Sequence, residues 1–136
     1  MYVRILVAYD GSPPARAAVE RAAELSRRDG AALTILTVAT LPTVADDVET
    51  EADIERARRH HQSLLHGLEA RCRELGVSPA KELAVGHPVR QILNRAEDAD
   101  LVVIGHSGRG MIDRWLMGSV AHGVVSLAPC DVLVVR

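Results

Sequence analysis

The chain has almost no aromatic residues: its 136 residues include no Phe, and Phe, Trp and Tyr together make up 2%. A hydrophobic core must therefore be built from Val, Leu, Ile and Ala, and a platform on which nucleic-acid bases stack is not expected. The net charge is −2, so no basic field attracts nucleic acid or an anionic membrane. We expect neither nucleic acid nor membrane among its partners.

Cysteines and long apolar segments are also scarce. Cys72 and Cys130 are far apart and form no Cys-x-x-Cys pair, which favours small buried side chains in a reducing compartment over a disulfide or metal site. No apolar run approaches the length of a membrane-spanning helix, and the N-terminus lacks the profile of a signal peptide. We expect a cytoplasmic protein with a single domain over residues 1–136.

Segments rich in β-forming residues alternate with helical patterns along the chain. Strands are predicted over Tyr2–Tyr9, Ala31–Val38, Glu82–Val85, Asp100–Ile104 and Val132–Val135. The last predicted helix covers Ser119–Leu127, with Val120, Val124 and Leu127 expected to be buried. Strands that alternate with helices predict a doubly wound α/β fold, in which helices cover both faces of a parallel five-stranded sheet.

Two glycine-containing loops follow predicted strands. Asp10-Gly11-Ser12 follows the first strand and Gly105-His106-Ser107-Gly108 follows the fourth, with Gly118-Ser119 nine residues later. Glycine allows close approach of the backbone to a ligand, and the free N–H groups of a helix start attract anions. Because doubly wound sheets bind ligands beyond the carboxyl ends of their strands, the loops predict a phosphate-binding site if the first and fourth strands are neighbours.

The pattern Gly-x2-Gly-x9-Gly-Ser, which begins at Gly105, closely resembles the signature of the ATP-binding branch of the universal stress protein family. The resemblance covers nearly the whole chain, including residues 5–12, the Gly86-His87-Pro88 turn and residues 129–135. It implies an adenine-nucleotide α-hydrolase-like sheet with strand order 3-2-1-4-5. It also implies a homodimer in which the apolar edge strands Val132–Val135 of two copies pair.

The resemblance implies roles for the matched positions in an ATP site. Asp10 and the Ala8 backbone would contact the adenosine end. Because a carboxylate is not a phosphate ligand, Asp10 would face the sugar, the base or a metal. Val38 would present backbone groups to the adenine edge. Gly105 and Gly108 would allow the chain to approach the ribose and phosphates.

The remaining matched positions would bind phosphates. Gly118, Ser119 and Val120 would supply N–H groups to the β- and γ-phosphates, and Ser107 belongs to the same glycine loop. Arg109 and Arg114 could pair with phosphate oxygens or remain solvated at the surface. Any Mg²⁺ would arrive with the ATP, because no cluster in the sequence has metal-ligand spacing. Gly105→Val or Gly118→Val is expected to abolish binding while the fold survives.

Several of these residues also have purely structural interpretations. Asp10 could cap the first helix or form an Asx turn, and Ser119 could be an ordinary N-cap. His61 lies on the apolar stripe of the long second helix and is expected to be a core histidine with satisfied hydrogen bonds. His106 could touch phosphate when it is protonated.

The sequence lacks the motifs of common nucleotide-hydrolysing enzymes. It has no Gly-x4-Gly-Lys-Ser/Thr loop and no Gly-x-Ser-x-Gly elbow, and no general base is evident for attack on a γ-phosphate. The resemblance implies a nucleotide-dependent stress-response regulator, and these absences lead us to expect at most slow ATP hydrolysis. The alternatives are a low-turnover ATPase, a nucleotidyl- or phosphoryl-transfer enzyme using the same pocket, or a sensor of another nucleotide such as cyclic AMP.

Overall fold

A computed structural model of the chain describes residues 1–40, 51–106 and 117–136. Within these ranges, strands and helices alternate in the predicted order. The strands are β1 (Arg4–Ala8), β2 (Ala32–Ala39), β3 (Ala80–Val85), β4 (Leu101–Gly105) and β5 (Asp131–Val135). The helices are α1 (Pro13–Asp29), α2 (Glu51–Glu74), α3 (Pro88–Ala96) and α4 (Met117–Leu127).

The strands form one parallel sheet in the order β3-β2-β1-β4-β5, which confirms the predicted topology. β1 lies at its centre, where Val7 pairs with Ile35 of β2 on one side and with Val103 of β4 on the other. The first and fourth strands are therefore neighbours. Their carboxyl ends meet at one rim, and the chain leaves β1 and β4 in opposite directions across the sheet, which is where such folds bind ligands.

The helices cover the two faces of the sheet in pairs. α1 and α2 contact each other on one face, where α1 lies mainly on β4 and β1 and α2 lies on β2 and β3, and α3 and α4 contact each other on the opposite face. α1 begins at the rim with Ser12 as its N-cap, where the hydroxyl accepts a hydrogen bond from the Ala15 N–H at 3.2 Å. Helix α1 therefore starts directly beside the end of β1.

The core between these layers is aliphatic, as the lack of aromatic residues requires. Val7, Ile35, Val102 and Val103 of the central strands are fully buried, because a sheet covered on both faces hides the side chains of both. Not one helix in the described ranges combines the length and apolar character needed to cross a bilayer.

The prediction for the last helix is wrong in two details. α4 begins at Met117 rather than Ser119, and Leu127 is 68% exposed although Val120 and Val124 are buried. α4 packs on α3, β4 and β5, and β5 is the last strand at its edge of the sheet. The final turn of α4 consequently receives little cover from the rest of the fold.

Candidate functional site

The carboxyl ends of β1 and β2 bring three predicted site residues to one corner of the rim. Beyond β1, the Tyr9 N–H donates to the Leu36 carbonyl at 2.9 Å, which continues the β1–β2 pairing. Ala8 pairs with Leu36, so Asp10 follows β1 at the level where Val38 stands in β2. Ala8 and Val38 are both buried, and they lie at or near the carboxyl ends of β1 and β2.

Asp10 has two carboxylate oxygens in different situations. Oδ1 accepts a hydrogen bond from the Ser12 N–H at 2.9 Å, which is the Asx turn considered from the sequence. Oδ2 is buried and has no hydrogen-bond partner among the described residues, and the residue as a whole is only 8% exposed. The structural interpretation therefore accounts for one oxygen, while the other is a buried acceptor that needs a donor.

The turn after Asp10 requires glycine. Gly11 has a φ of 84°, in the left-handed region that other residues rarely adopt. A Cβ at this position would also stand 3.3 Å from Cδ2 of Leu64 in α2. The turn is therefore packed closely beneath α2.

Gly105 is required for packing between α1 and β4. A Cβ built on Gly105 would lie 2.5 Å from the carbonyl carbon of Pro14 and 2.7 Å from the Ala15 nitrogen. These are backbone atoms at the start of α1 and cannot rotate away as a side chain would. The expectation that Gly105→Val spares the fold is therefore wrong. Contact between the Gly105 backbone and a ligand stays a prediction.

The N-terminus of α4 follows the second glycine loop. Since α4 begins at Met117, Gly118 and Ser119 fall within its first turn, and Ser119 is not an N-cap. Ser119 is exposed and Val120 is buried. The first turn contains no acidic residue, so no side chain there opposes an approaching anion at the positive end of the helix dipole.

The rest of the glycine loop lies outside the described residues. This applies to Ser107, Gly108, Arg109 and Arg114, whose contacts stay predictions. His106, the last described residue before this segment, is exposed, and its backbone N–H donates to the Val135 carbonyl, which extends the β4–β5 pairing.

Two further polar residues near this rim were not identified as site residues from the sequence. Thr37 of β2 is fully buried, and its Oγ1 has no partner within the described ranges. His61 of α2 is half-buried, and its Nδ1 is likewise buried and unpaired there. The expectation of a satisfied core histidine is therefore wrong for this atom. The sequence features that could have identified these two residues are a Thr within an otherwise aliphatic strand and a His on the apolar stripe of a helix.

The pKa of His61 is lowered from its ordinary value. Burial, which disfavours the charged imidazolium, is the larger cause, and the neighbouring His60 adds a smaller electrostatic contribution. The lowered pKa favours the neutral imidazole, in which one ring nitrogen donates and the other accepts.

Metal coordination by side chains finds no support in the described part of the chain. No group of three or more His, Cys, Asp or Glu side chains there is arranged to hold an ion. Cys72 is buried and Cys130 partly buried, and both are free thiols. Burial is the largest cause of the raised pKa of each, so neither is an activated thiolate.

The chain resembles known proteins over its whole length. It matches the sequence profile of the Universal stress protein family over residues 1–136. A Staphylococcus aureus (strain USA300) relative named as a universal stress protein is 35% identical over 140 residues, which cover 99% of this chain and 84% of the relative.

Solved structures agree with the fold. A universal stress protein in complex with cAMP is 28% identical with a TM-score of 0.75, covering 99% of this chain and 97% of that one. A universal stress protein from Archaeoglobus fulgidus in complex with dAMP is 27% identical with a TM-score of 0.71, covering 99% and 98%. The sheet order and helices are those of the adenine-nucleotide α-hydrolase-like fold, and the chain belongs to the universal stress protein family.

Proposed function

We propose that the protein is a cytoplasmic, nucleotide-dependent stress-response regulator that binds ATP at the rim between β1 and β4. The observation that carries the proposal is the unpaired Oδ2 of Asp10, a buried acceptor at the point where the sheet order reverses. A buried polar atom is normally paired. Here the fold places one beside the ligand position expected for doubly wound sheets.

The chemistry of the corner orients the nucleotide. A carboxylate repels phosphate, so Asp10 accepts hydrogen bonds from the ribose or base, with the Ala8 and Val38 backbone beside it. The phosphates then extend toward the first turn of α4, where Gly118, Ser119 and Val120 offer N–H groups. Gly105, Ser107, Gly108 and Arg109 belong to the same proposed site, between the adenosine and phosphate ends.

The comparisons support an adenine nucleotide. Relatives that align over nearly this whole chain are described in complex with cAMP and with dAMP. ATP is our first choice of ligand because the glycine pattern resembles the signature of the ATP-binding branch of the family. Cyclic AMP is the second candidate, favoured by the relative that binds it.

We propose binding rather than efficient catalysis. Asp10 is committed to the α1 turn through Oδ1 and to the adenosine end through Oδ2, which keeps it from acting as a base at the γ-phosphate. Mg²⁺, when present, is carried by the phosphates. The site therefore supports at most slow hydrolysis, and the protein acts through its bound or free state.

The two edges of the sheet differ in a way that supports a homodimer. The edge strand β3 carries charged side chains that form ion pairs: Lys81 with Glu69, and Glu82 with Arg95. The edge strand β5 instead presents Val132–Val135, with Val134 37% exposed. Charged edges resist strand pairing and apolar ones favour it, so we propose that two copies pair through β5.

Identification of the bound ligand tests the proposal. Protein purified rapidly without added nucleotide is heated, and the released small molecules are identified by mass spectrometry. Titration calorimetry of the emptied protein then compares ATP with cAMP, and release of phosphate from γ-labelled ATP measures turnover. Binding of ATP with negligible turnover is expected. Tighter binding of cAMP would favour the sensor, rapid phosphate release would favour the enzyme, and binding of neither would overturn the proposal.

A further inference from the structure

Thr37 faces the layer between the sheet and helices α1 and α2. A Cβ built on Gly105 would point into that layer, because it would meet the backbone at the start of α1. Residues two apart in a strand share a face, and paired residues in adjacent parallel strands do so as well. Val103 pairs with Val7, and Val7 with Ile35. Thr37, two residues after Ile35, therefore directs its hydroxyl toward α1 and α2.

His61 approaches the same layer from α2. It stands on one helical face with Leu65, Leu68 and Cys72, which are all buried against the sheet. One turn after His61, Leu64 contacts the Gly11 position of the β1–α1 turn. The middle of α2 therefore lies beside the turn at the carboxyl end of β1, and His61 is one helical turn before Leu64.

The unpaired atoms belong to the elements that border this corner. Among buried side-chain nitrogens and oxygens of the described residues, those without a hydrogen bond are Asp10 Oδ2, Thr37 Oγ1 and His61 Nδ1. Asp10 adjoins the turn beneath Leu64, and Thr37 directly follows Leu36, whose carbonyl accepts from the Tyr9 N–H. Such atoms are rare in folded proteins. Three around one corner indicate a shared missing partner.

We propose that Thr37 and His61 are specificity-determining residues, which hydrogen-bond the nucleobase from the α2 side of the Asp10 corner. The proposal rests on nucleotide binding at this rim. A hydroxyl donates and accepts, and a neutral imidazole nitrogen does either. The flat, largely apolar faces of a base suit the neighbouring Leu64 and Leu65 side chains of α2. A phosphate in the same place would be repelled by the Asp10 carboxylate.

The same chemistry favours adenine over guanine. Adenine has an amine donor beside a ring-nitrogen acceptor on its edge, whereas guanine has a carbonyl acceptor beside an N–H donor. The Asp10 carboxylate can only accept. In the proposed pose it pairs with the adenine amine, and a guanine held in the same pose would set its O6 carbonyl against the carboxylate. Thr37 and His61, which can donate, then pair with the ring nitrogens.

Calorimetric titration of ATP, GTP and inorganic triphosphate tests this assignment. Wild-type protein is expected to prefer ATP to GTP. Thr37→Val and His61→Leu should weaken ATP binding by about threefold to tenfold, as one hydrogen bond is worth, and reduce the preference over GTP. Binding of inorganic triphosphate, which has no base, should not change. His61→Asn, which keeps a polar atom near the Nδ1 position, should restore part of the affinity.

A stability measurement separates this role from a merely structural one. Valine has the shape of threonine without the hydroxyl, so Thr37→Val should raise the melting temperature of the empty protein while it weakens ATP binding. Thr34→Val is the matched control, because Thr34 lies on the same strand and faces the opposite side of the sheet. It should leave nucleotide binding unchanged.

The outcomes distinguish the two proposals. If the wild type binds ATP and the variants keep its preference over GTP, Thr37 and His61 do not read the base, and the proposed function stands. Unchanged ATP affinity in Thr37→Val would show that its hydroxyl merely holds a buried water. Equal losses for ATP and inorganic triphosphate would indicate general damage and also overturn the assignment. A wild type that binds neither ATP, GTP nor cAMP would overturn both proposals.

Discussion

Gly105 and Pro14 place strand β4 and helix α1 in backbone-to-backbone contact, with only 2.5 Å between the Cβ position of Gly105 and the Pro14 carbonyl carbon. That separation is shorter than any real Cβ tolerates. The glycine at the start of the phosphate-binding signature therefore serves the packing of α1 as well. A side chain at Gly105 is therefore expected to disturb the packing of α1 on β4 even when no ligand is bound.

Gly105→Ala should destabilise the protein by about 1–3 kcal/mol or more, because overpacking against fixed backbone forces α1 away from β4. Urea denaturation monitored by circular dichroism measures the change. Gly67→Ala is the matched control: nothing lies within 4 Å of its Cβ position in α2. Alanine at that helical site should stabilise by about 0.5–1 kcal/mol. Equal stability of the Gly105→Ala variant and the wild type would contradict the packing role.

Asp10→Asn should separate the two roles of Asp10. The amide oxygen can still accept from the Ser12 N–H, so the free energy of unfolding should change little. At the Oδ2 position a donor replaces the acceptor, so ATP binding should weaken by about 1.5–3 kcal/mol, the usual value of a hydrogen bond to a charged group. Calorimetry and urea denaturation measure the two quantities.

Ser12→Ala provides the converse control for that experiment. Loss of the N-cap should cost about 1 kcal/mol of stability with little effect on ATP affinity. If Asp10→Asn bound ATP as tightly as the wild type, Oδ2 would not be a ligand acceptor.

Asp29 makes stability depend on pH at the opposite end of the sheet. Its carboxylate accepts from Arg28 Nε at 2.8 Å and from the Tyr2 N–H at 2.9 Å, and these bonds, with Arg28 the larger cause, lower its pKa from 3.8 to about 2. A folded pKa below the unfolded value stabilises the protein above pH 3.8, and this contribution disappears as the pH falls toward 2.

Asp29→Asn should therefore lower stability near neutral pH and flatten its decline between about pH 5 and pH 2. Urea denaturation at a series of pH values measures this difference. Parallel wild-type and variant curves throughout that range would show that Asp29 contributes nothing to acid unfolding.

Val134→Lys tests the proposed dimer. A charge on the exposed edge of β5 disfavours strand pairing between two copies, so sedimentation velocity should show a dimer for the wild type and a monomer for the variant. Val3→Lys is the control, because Val3 is also exposed and apolar but precedes β1, away from this edge. A Val134→Lys variant that sediments as the wild type does would exclude this interface.

The sequence predicts the elements because their signals are local. The apolar run ending at Tyr9, the Asp10-Gly11-Ser12 turn and the helical spacing that follows together indicate strand, turn and helix. The resemblance to universal stress proteins supplied the strand order, which local patterns do not contain. The structure confirms that order.

The errors arise where distant segments meet. The role of Gly105 depends on Pro14, which lies far away in sequence at the start of helix α1. Leu127 continues the helical spacing of Val120 and Val124, yet it is exposed because little of the fold covers the final turn of α4. The unpaired Nδ1 of His61 depends on what faces α2 across the layer. Periodicity within one segment carries no information about such partners.

Helix α1 joins the two ends of the molecule. Its N-cap turn is held by Asp10 at the rim, and its last residue, Asp29, binds the backbone of Tyr2 at the far side. A helix of 17 residues is about 25 Å long. One rigid helix therefore links the turn that presents Asp10 at the rim to the contact that fixes the start of the chain on the far side of the sheet.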